Sequence, residues 1–174
     1  ITRVLNDRRN FYAFDAIEKI RDQLLSDYNT IEIEDFGAGS RVAKTNIRKI
    51  SAVAKGSLKP AKYSQLLFRM IDFYAPKQII ELGTSLGITT AYLASANPAA
   101  KVTTFEGSST IAAIAGQNHQ SLALTNITLL EGNFDEELPK WLGHNKSIDF
   151  AFIDGNHAFK PTMAYFEALL EVVH

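Results

Sequence analysis

The chain has 174 residues, 46% hydrophobic and 21% charged, with 18 basic against 19 acidic side chains and a formal net charge of -1. That is room for one domain with a real core plus an appendage, and the balanced charge gives no overall attraction to nucleic acid or an anionic membrane. With no cysteine, disulfides, thiolate metal sites and a cysteine nucleophile are excluded.

A reducing cytoplasm is compatible with this usage and is the expected address. No apolar run approaches the length of a membrane span, and no charged-then-apolar leader opens the chain. The sequence begins at Ile1 rather than Met and stops at Glu171-Val172-Val173-His174, where a helical pattern ends without a cap. A fragment of a longer protein is the expectation.

From Asn10 to about Pro76 the pattern is helical and basic. Phe11, Phe14, Ile17, Ile20 and Leu24 recur at the spacing of one helix face. Ile47, Ile50 and Val53-Ala54 repeat it, as do Leu66-Leu67, Met70-Ile71 and Phe73-Tyr74. Between the first two helices, Ile31-Glu32-Ile33-Glu34-Asp35-Phe36-Gly37-Ala38-Gly39-Ser40 reads as a turn-rich connection. Its glycines imitate a ligand-binding turn. As a central parallel strand, however, Ile31–Glu34 would bury two glutamates, so a substrate-side lid is the only functional role kept for it. Arg41, Lys44, Arg48, Lys49, Lys55, Lys59 and Lys62 form a basic run, read as a solvated helix face, with an acidic or phosphorylated acceptor as the functional alternative.

After Pro76 the rhythm changes. Ile79-Ile80-Glu81-Leu82 ends at Gly83 and is followed by a helical stretch from Gly87 to Ala96. Val102–Phe105 ends at Glu106-Gly107 before helix-like Thr110–Leu124. Ile127–Leu130 ends at Gly132-Asn133 before a short Glu137–Leu142 pattern, and Ile148–Ile153 ends at Asp154-Gly155 before Thr162–Val173. Near-continuous apolar strands alternating with helices predict a parallel sheet covered on both faces. Right-handed crossovers then bring all the strand C-termini to one edge, where such sheets bind ligands. Glu81, Gly83, Glu106, Gly107, Asn133, Phe134, Asp154 and Gly155 are delivered there. The expected fold class is a three-layer αβα, Rossmann-like domain over 76–174, its C-terminal strands missing, behind a helical region or lid over 1–75.

The central motif is Glu81-x-Gly83-x-x-x-Gly87, after a strand and opening a helix. Glycines there allow a tight turn and let backbone N–H groups approach a ligand. A dinucleotide site requires glycine where Ser85 stands, and no Lys or Arg lies between Glu81 and Ala100 to meet several phosphates. A serine hydrolase is suggested by Gly83-Thr84-Ser85-Leu86-Gly87, which matches the nucleophile elbow. Its acid and base, Asp154 and His157, would however sit three residues apart on one strand end. S-adenosylmethionine suits the motif best. A helix N-terminus suits its carboxylate, by roughly 0.3–1 kcal/mol, and Glu81 suits its ammonium end and the field of its sulfonium. Glu106 suits the ribose hydroxyls, and Asn133 and Phe134 can hydrogen-bond and flank an adenine.

Ile79–Thr90 resembles motif I of class I S-adenosylmethionine-dependent methyltransferases, and Val102–Gly107 resembles the ribose-binding motif that follows it. Ile148–His157 is similar to the fourth-strand motif of the catechol and caffeoyl-CoA O-methyltransferase type. The resemblance runs from Ile79 to Val173. It implies that Glu81, Gly83 and Thr89, with the neighbouring turn residues Thr84, Ser85 and Gly87, line the methionine end. It places Glu106, with Gly107 and Ser108 beside it, at the ribose, and Asn133 and Phe134 at the adenine. In the metal-dependent members the aspartate at the position of Asp154 is a metal ligand, Mg being the ordinary ion, and the third residue on is a lysine base. Here that residue is His157, an imidazole of the kind that serves as a general base.

The expected function is methyl transfer from S-adenosylmethionine to a small molecule, at oxygen, with Asp154 and His157 as the catalytic pair. A non-catalytic S-adenosylmethionine-binding module is the rival from another class. A homodimer is carried as a candidate assembly, with no nucleic acid or membrane partner. His119 and His144 are read as having no role, and Trp141 as packing on the core.

Overall fold

The computed structural model describes residues 2–35, 44–145 and 147–173, without the side chains of residues 35, 44 and 45. Helices α1 (Thr2–Leu5) and α2 (Phe14–Ser26) come first, then strands β1 (Thr30–Asp35) and β2 (Lys44–Lys49), then helices α3 (Ile50–Ser57) and α4 (Ala61–Tyr74). The rest alternates: β3 (Gln78–Leu82), α5 (Ile88–Ala96), β4 (Lys101–Glu106), α6 (Ser109–Ser121), β5 (Ile127–Glu131), α7 (Phe134–His144), β6 (Phe150–Ile153) and α8 (Phe159–Leu170).

The main sheet runs in the order β5-β4-β3-β6, and each pairing is parallel. Its register aligns Leu82 with both Phe105 and Ile153, and Glu106 with Glu131. The residues following these positions therefore share one edge. Central strand β3 is buried from Ile79 to Leu82 because both faces are covered, as parallel sheets require, with Glu81 its one charged residue. Ile79, Ile80, Glu81 and Leu82 are all buried. One core packs Ile80, Leu82 and Phe105 against Leu138, Tyr165 and Leu169; another packs Ile79 and Val102 against Ile71 and Leu93. Trp141 meets Phe105 edge-on at 6.3 Å, as its apolar neighbours suggested.

The N-terminal elements share a core with the sheet domain. Phe14 and Ile17 of α2 and Phe68 of α4 join Leu86, Ile88 and Tyr92 in one cluster, with Phe14 and Phe68 edge-on at 5.1 Å. This region departs from the sequence reading in one respect. Ile31–Glu34 lies in a strand rather than a turn, and β1 pairs antiparallel with β2 as a separate two-stranded sheet. Ile47, expected on a helix face, is in β2 and largely exposed. As a strand outside the main sheet, β1 alternates apolar and acidic residues, in keeping with its exclusion from the central parallel strands. The glycine segment 36–40 and Arg41 lie outside the described residues.

Candidate active site

The first strand-to-helix turn is built from conformations that few residues adopt. Gly83 has φ +105°, and a Cβ there would lie 2.6 Å from the Asp154 carbonyl oxygen. Gly87, at φ +81°, precedes α5, and a Cβ there would meet His119 Nε2. His119 is buried in α6 with Nε2 3.0 Å from the Gly87 carbonyl, so its ring nitrogen donates. Burial holds its pKa below the usual range, against the bond to Gly87. The residue dismissed from sequence thus braces the turn from below.

Glu106, at the end of β4, reaches across to this turn. Its Oε2 accepts from the Ser85 N–H at 2.8 Å and its Oε1 from the Ser108 N–H at 3.1 Å. Desolvation nevertheless raises its pKa above the ordinary carboxylate value. Thr84 is buried, its hydroxyl 2.6 Å from that of Thr104. Glu81 is fully buried, and its Oε2 accepts from Thr90 Oγ1 at 2.5 Å and Thr104 Oγ1 at 2.7 Å. Its Oε1 is buried with no partner. Burial pushes this carboxyl up to about 7 against those two hydroxyl bonds, helped by the negative charges of Asp154 and Glu106.

Above these groups is a cavity of about 870 Å³, inside the size range of small-molecule and cofactor sites. Gly83, Ser85, Glu106, Gly107, Ser108, Asn133, Phe134, Asp154 and His157 line it. Glu81, Thr84, Gly87 and Thr89 do not stand in its wall. Glu81 and Thr84 are buried, and Thr89 is half-buried in the first turn of α5. Asn133 caps α7, accepting from the Asp135 N–H at 3.0 Å. The Phe134 ring lies so close to Gly155 that a Cβ on Gly155 would collide with it, and it meets Tyr165 edge-on at 6.1 Å. Tyr165 donates to Asp135 Oδ1 at 2.5 Å and accepts from Asn156 at 2.9 Å. Its hydroxyl is pushed up to about 12, chiefly by burial and then by its bond to Asp135.

The family model described as a methyltransferase domain matches residues 80–174. The chain belongs to this methyltransferase family. No curated protein matches it significantly. Among solved structures, the O-methyltransferase TomG from Streptomyces achromogenes, involved in tomaymycin synthesis and in complex with SAM, superposes with a TM-score of 0.62 at 23% identity, over 68% of this chain and 53% of that one. An O-methyltransferase from Bacillus cereus in complex with SAH gives 0.68 at 18% identity, over 99% and 66%. SAH-bound methyltransferase PaMTH1 from Podospora anserina gives 0.61 at 13% identity, over 95% and 67%. The chain thus spans less than two thirds of the length of the first two. Such identities establish the shared fold, the Rossmann-like αβα arrangement expected from the sequence.

In this methyltransferase domain Asp154 takes an ammonium. Its Oδ1 lies 2.8 Å from Lys59 Nζ. Among the described residues no group of three or more His, Asp or Glu side chains is arranged to hold a metal ion. A lysine cation on the one expected ligand disfavours a second cation at the same oxygen. The described residues by themselves supply no metal centre. The Ser85 hydroxyl donates to Ser57 Oγ at 2.8 Å rather than to an imidazole, so the hydrolase arrangement has no activated serine here.

Sequence reasoning missed the far wall. Gly56 and Ser57 at the end of α3, Leu58 and Lys59 after it, and Glu34 of β1 also line the cavity. Lys59 was one lysine in a basic run, and nothing in its spacing separated it from its neighbours. The contact it makes joins positions 95 apart, which local periodicity does not register.

Proposed function

We propose that this chain is the cofactor-binding part of an S-adenosylmethionine-dependent O-methyltransferase acting on a small molecule. The observation that carries the reading is the Glu106–Ser85 bond beside an open cavity. A carboxylate at the second strand end fixes the glycine turn while keeping acceptor lone pairs for a ribose diol. Glu106, Gly107 and Ser108 hold the ribose, Asn133 and Phe134 flank the adenine, and Gly83 and Ser85 meet the amino acid end. Glu81, buried outside the cavity wall, acts on the cofactor's ammonium through its field rather than by contact. Thr84, Gly87 and Thr89 act by shaping the turn and the first turn of α5.

When bound, the cofactor supplies a methyl group already activated by its sulfonium. What remains for the protein is alignment, exclusion of water and removal of the acceptor proton, of which alignment alone reaches roughly 7–11 kcal/mol in well-oriented reactions. His157, exposed at the cavity mouth, takes the acceptor proton, and Asp154 sets the charge beside it. The test is incubation with methyl-labelled S-adenosylmethionine and a panel of phenols, enols and carboxylic acids. Formation of S-adenosylhomocysteine with label in an O-methyl group is the expected result; binding without transfer to any of them would favour a non-catalytic module.

A further inference from the structure

Lys59 lies between α3 and α4, ahead of the sheet domain, yet it reaches the end of β6. Besides its contact with Asp154, its Nζ sits 5.5 Å from the centroid of the Phe152 ring. The placement is braced from behind. Arg21, buried in α2, donates from Nη1 to the Lys59 carbonyl at 2.6 Å and from Nε to Glu18 Oε1 and Oε2 at 3.0 and 2.9 Å. Glu18 Oε1 also accepts from the Tyr92 hydroxyl at 2.6 Å, and Tyr92 stands in α5, the helix that the glycine turn opens. A buried arginine is costly unless its partners are in place. Here those partners tie the Lys59 backbone to the helix behind the turn. The bond between Ser57 and Ser85 makes a second tie two residues away.

An ammonium carries three N–H donors, and Asp154 Oδ1 takes one of them. The lysine also lines the cavity, with 31% of its side chain exposed. Among the lining residues described, Lys59 and His157 are the basic side chains, against Glu34, Glu106 and Asp154.

We propose that Lys59 is an acceptor-binding residue of the methyl-transfer site, whose ammonium, fixed on Asp154, selects an acceptor with an acidic oxygen: a phenol, an enol or a carboxylic acid. The inference rests on the methyltransferase reading above. Between a fixed ammonium and a sulfonium, the oxyanion is favoured over its conjugate acid. The acceptor hydroxyl gives its proton to His157, its oxygen bonds to the methyl carbon, and the carbon–sulfur bond breaks with its electron pair returning to sulfur. Lys59 keeps its own protons throughout.

The test uses the whole chain and three forms of it: wild type, Lys59→Met and Lys59→Arg. Calorimetry gives the affinities for S-adenosylmethionine and S-adenosylhomocysteine, which differ by the sulfonium charge. Lys59→Met removes a nearby positive charge and leaves Asp154 unpaired, so the ratio of the two dissociation constants should move about tenfold towards S-adenosylmethionine. Lys59→Arg should leave the ratio near wild type, whereas a merely structural lysine would weaken both ligands alike. In a second arm 4-nitrophenol is titrated into the S-adenosylhomocysteine complex and its ionisation read by absorbance. Wild type and Lys59→Arg should bind the phenolate and lower its apparent pKa; Lys59→Met should not. The proposal is overturned if Lys59→Met matches wild type in both arms, or if wild type binds S-adenosylhomocysteine but not the phenolate. If wild type binds neither nucleoside, the methyltransferase reading itself fails, and the proposal with it.

Discussion

Glu106 and Ser85 meet at 2.8 Å, carboxylate oxygen to backbone N–H, although one ends β4 and the other lies in the turn after β3. The acid expected to bind a ribose is therefore also a strut of the glycine turn. Glu106→Ala removes both functions at once. A hydrogen bond to a charged group contributes about 1.5–3 kcal/mol, so affinity for S-adenosylhomocysteine should fall roughly 10- to 100-fold in a calorimetric titration. Unchanged affinity would remove Glu106 from the site.

Glu81 gives a pH signature. Burial raises its carboxyl from 4.5 to about 7, so the folded state holds this proton more tightly than the unfolded chain does. The contribution to stability is complete below the unfolded value, declines as pH rises from about 4.5 towards 7, and is lost above that. At 1.36 kcal/mol per pH unit this amounts to about 3 kcal/mol. The melting temperature of wild type minus that of Glu81→Gln should fall across that window, because the amide does not titrate. A difference independent of pH would contradict the buried, partly protonated carboxyl.

The turn is also testable through stability. Gly83→Ala forces a side chain into φ +105° and against the Asp154 carbonyl, which should cost roughly 2–5 kcal/mol. Gly116, exposed in α6 with open space around it, provides the contrast. Alanine there should stabilise the helix by about 0.5–1 kcal/mol. Chemical denaturation of both variants measures the difference.

His157 is exposed at the cavity mouth and joins no ligand-binding contact described above. His157→Ala should leave the affinity for S-adenosylhomocysteine unchanged while lowering turnover about 100-fold or more, the range for general base catalysis. Unaltered turnover on an acceptor found by the labelling panel would refute its role as base.

The sheet domain was legible because its signals are local. Ile79–Leu82, Val102–Phe105 and Ile127–Leu130 are short apolar runs, each closed by glycine or an acid, and each forms a parallel strand of the sheet. That periodicity also brought Gly83, Glu106, Asn133 and Asp154 to one edge. The hairpin was not legible, since Ile31–Glu34 and Ile47 gain strand geometry from pairing with each other, a relation that spacing within either segment does not encode. Lys59, Arg21 and His119 escaped for the same reason. Each acts through a partner distant in the chain, and a polar residue in a helical pattern looks solvated until its partner is known.

The proposed site at the strand ends around Glu106 and Gly83 takes a sulfonium nucleoside rather than a dinucleotide. Isothermal titration of the chain with S-adenosylmethionine and S-adenosylhomocysteine, beside NAD, tests it most directly. Saturable one-to-one binding of both nucleosides, with no heat of binding from NAD, is the expected result. Binding of NAD with no response to either nucleoside would contradict the account.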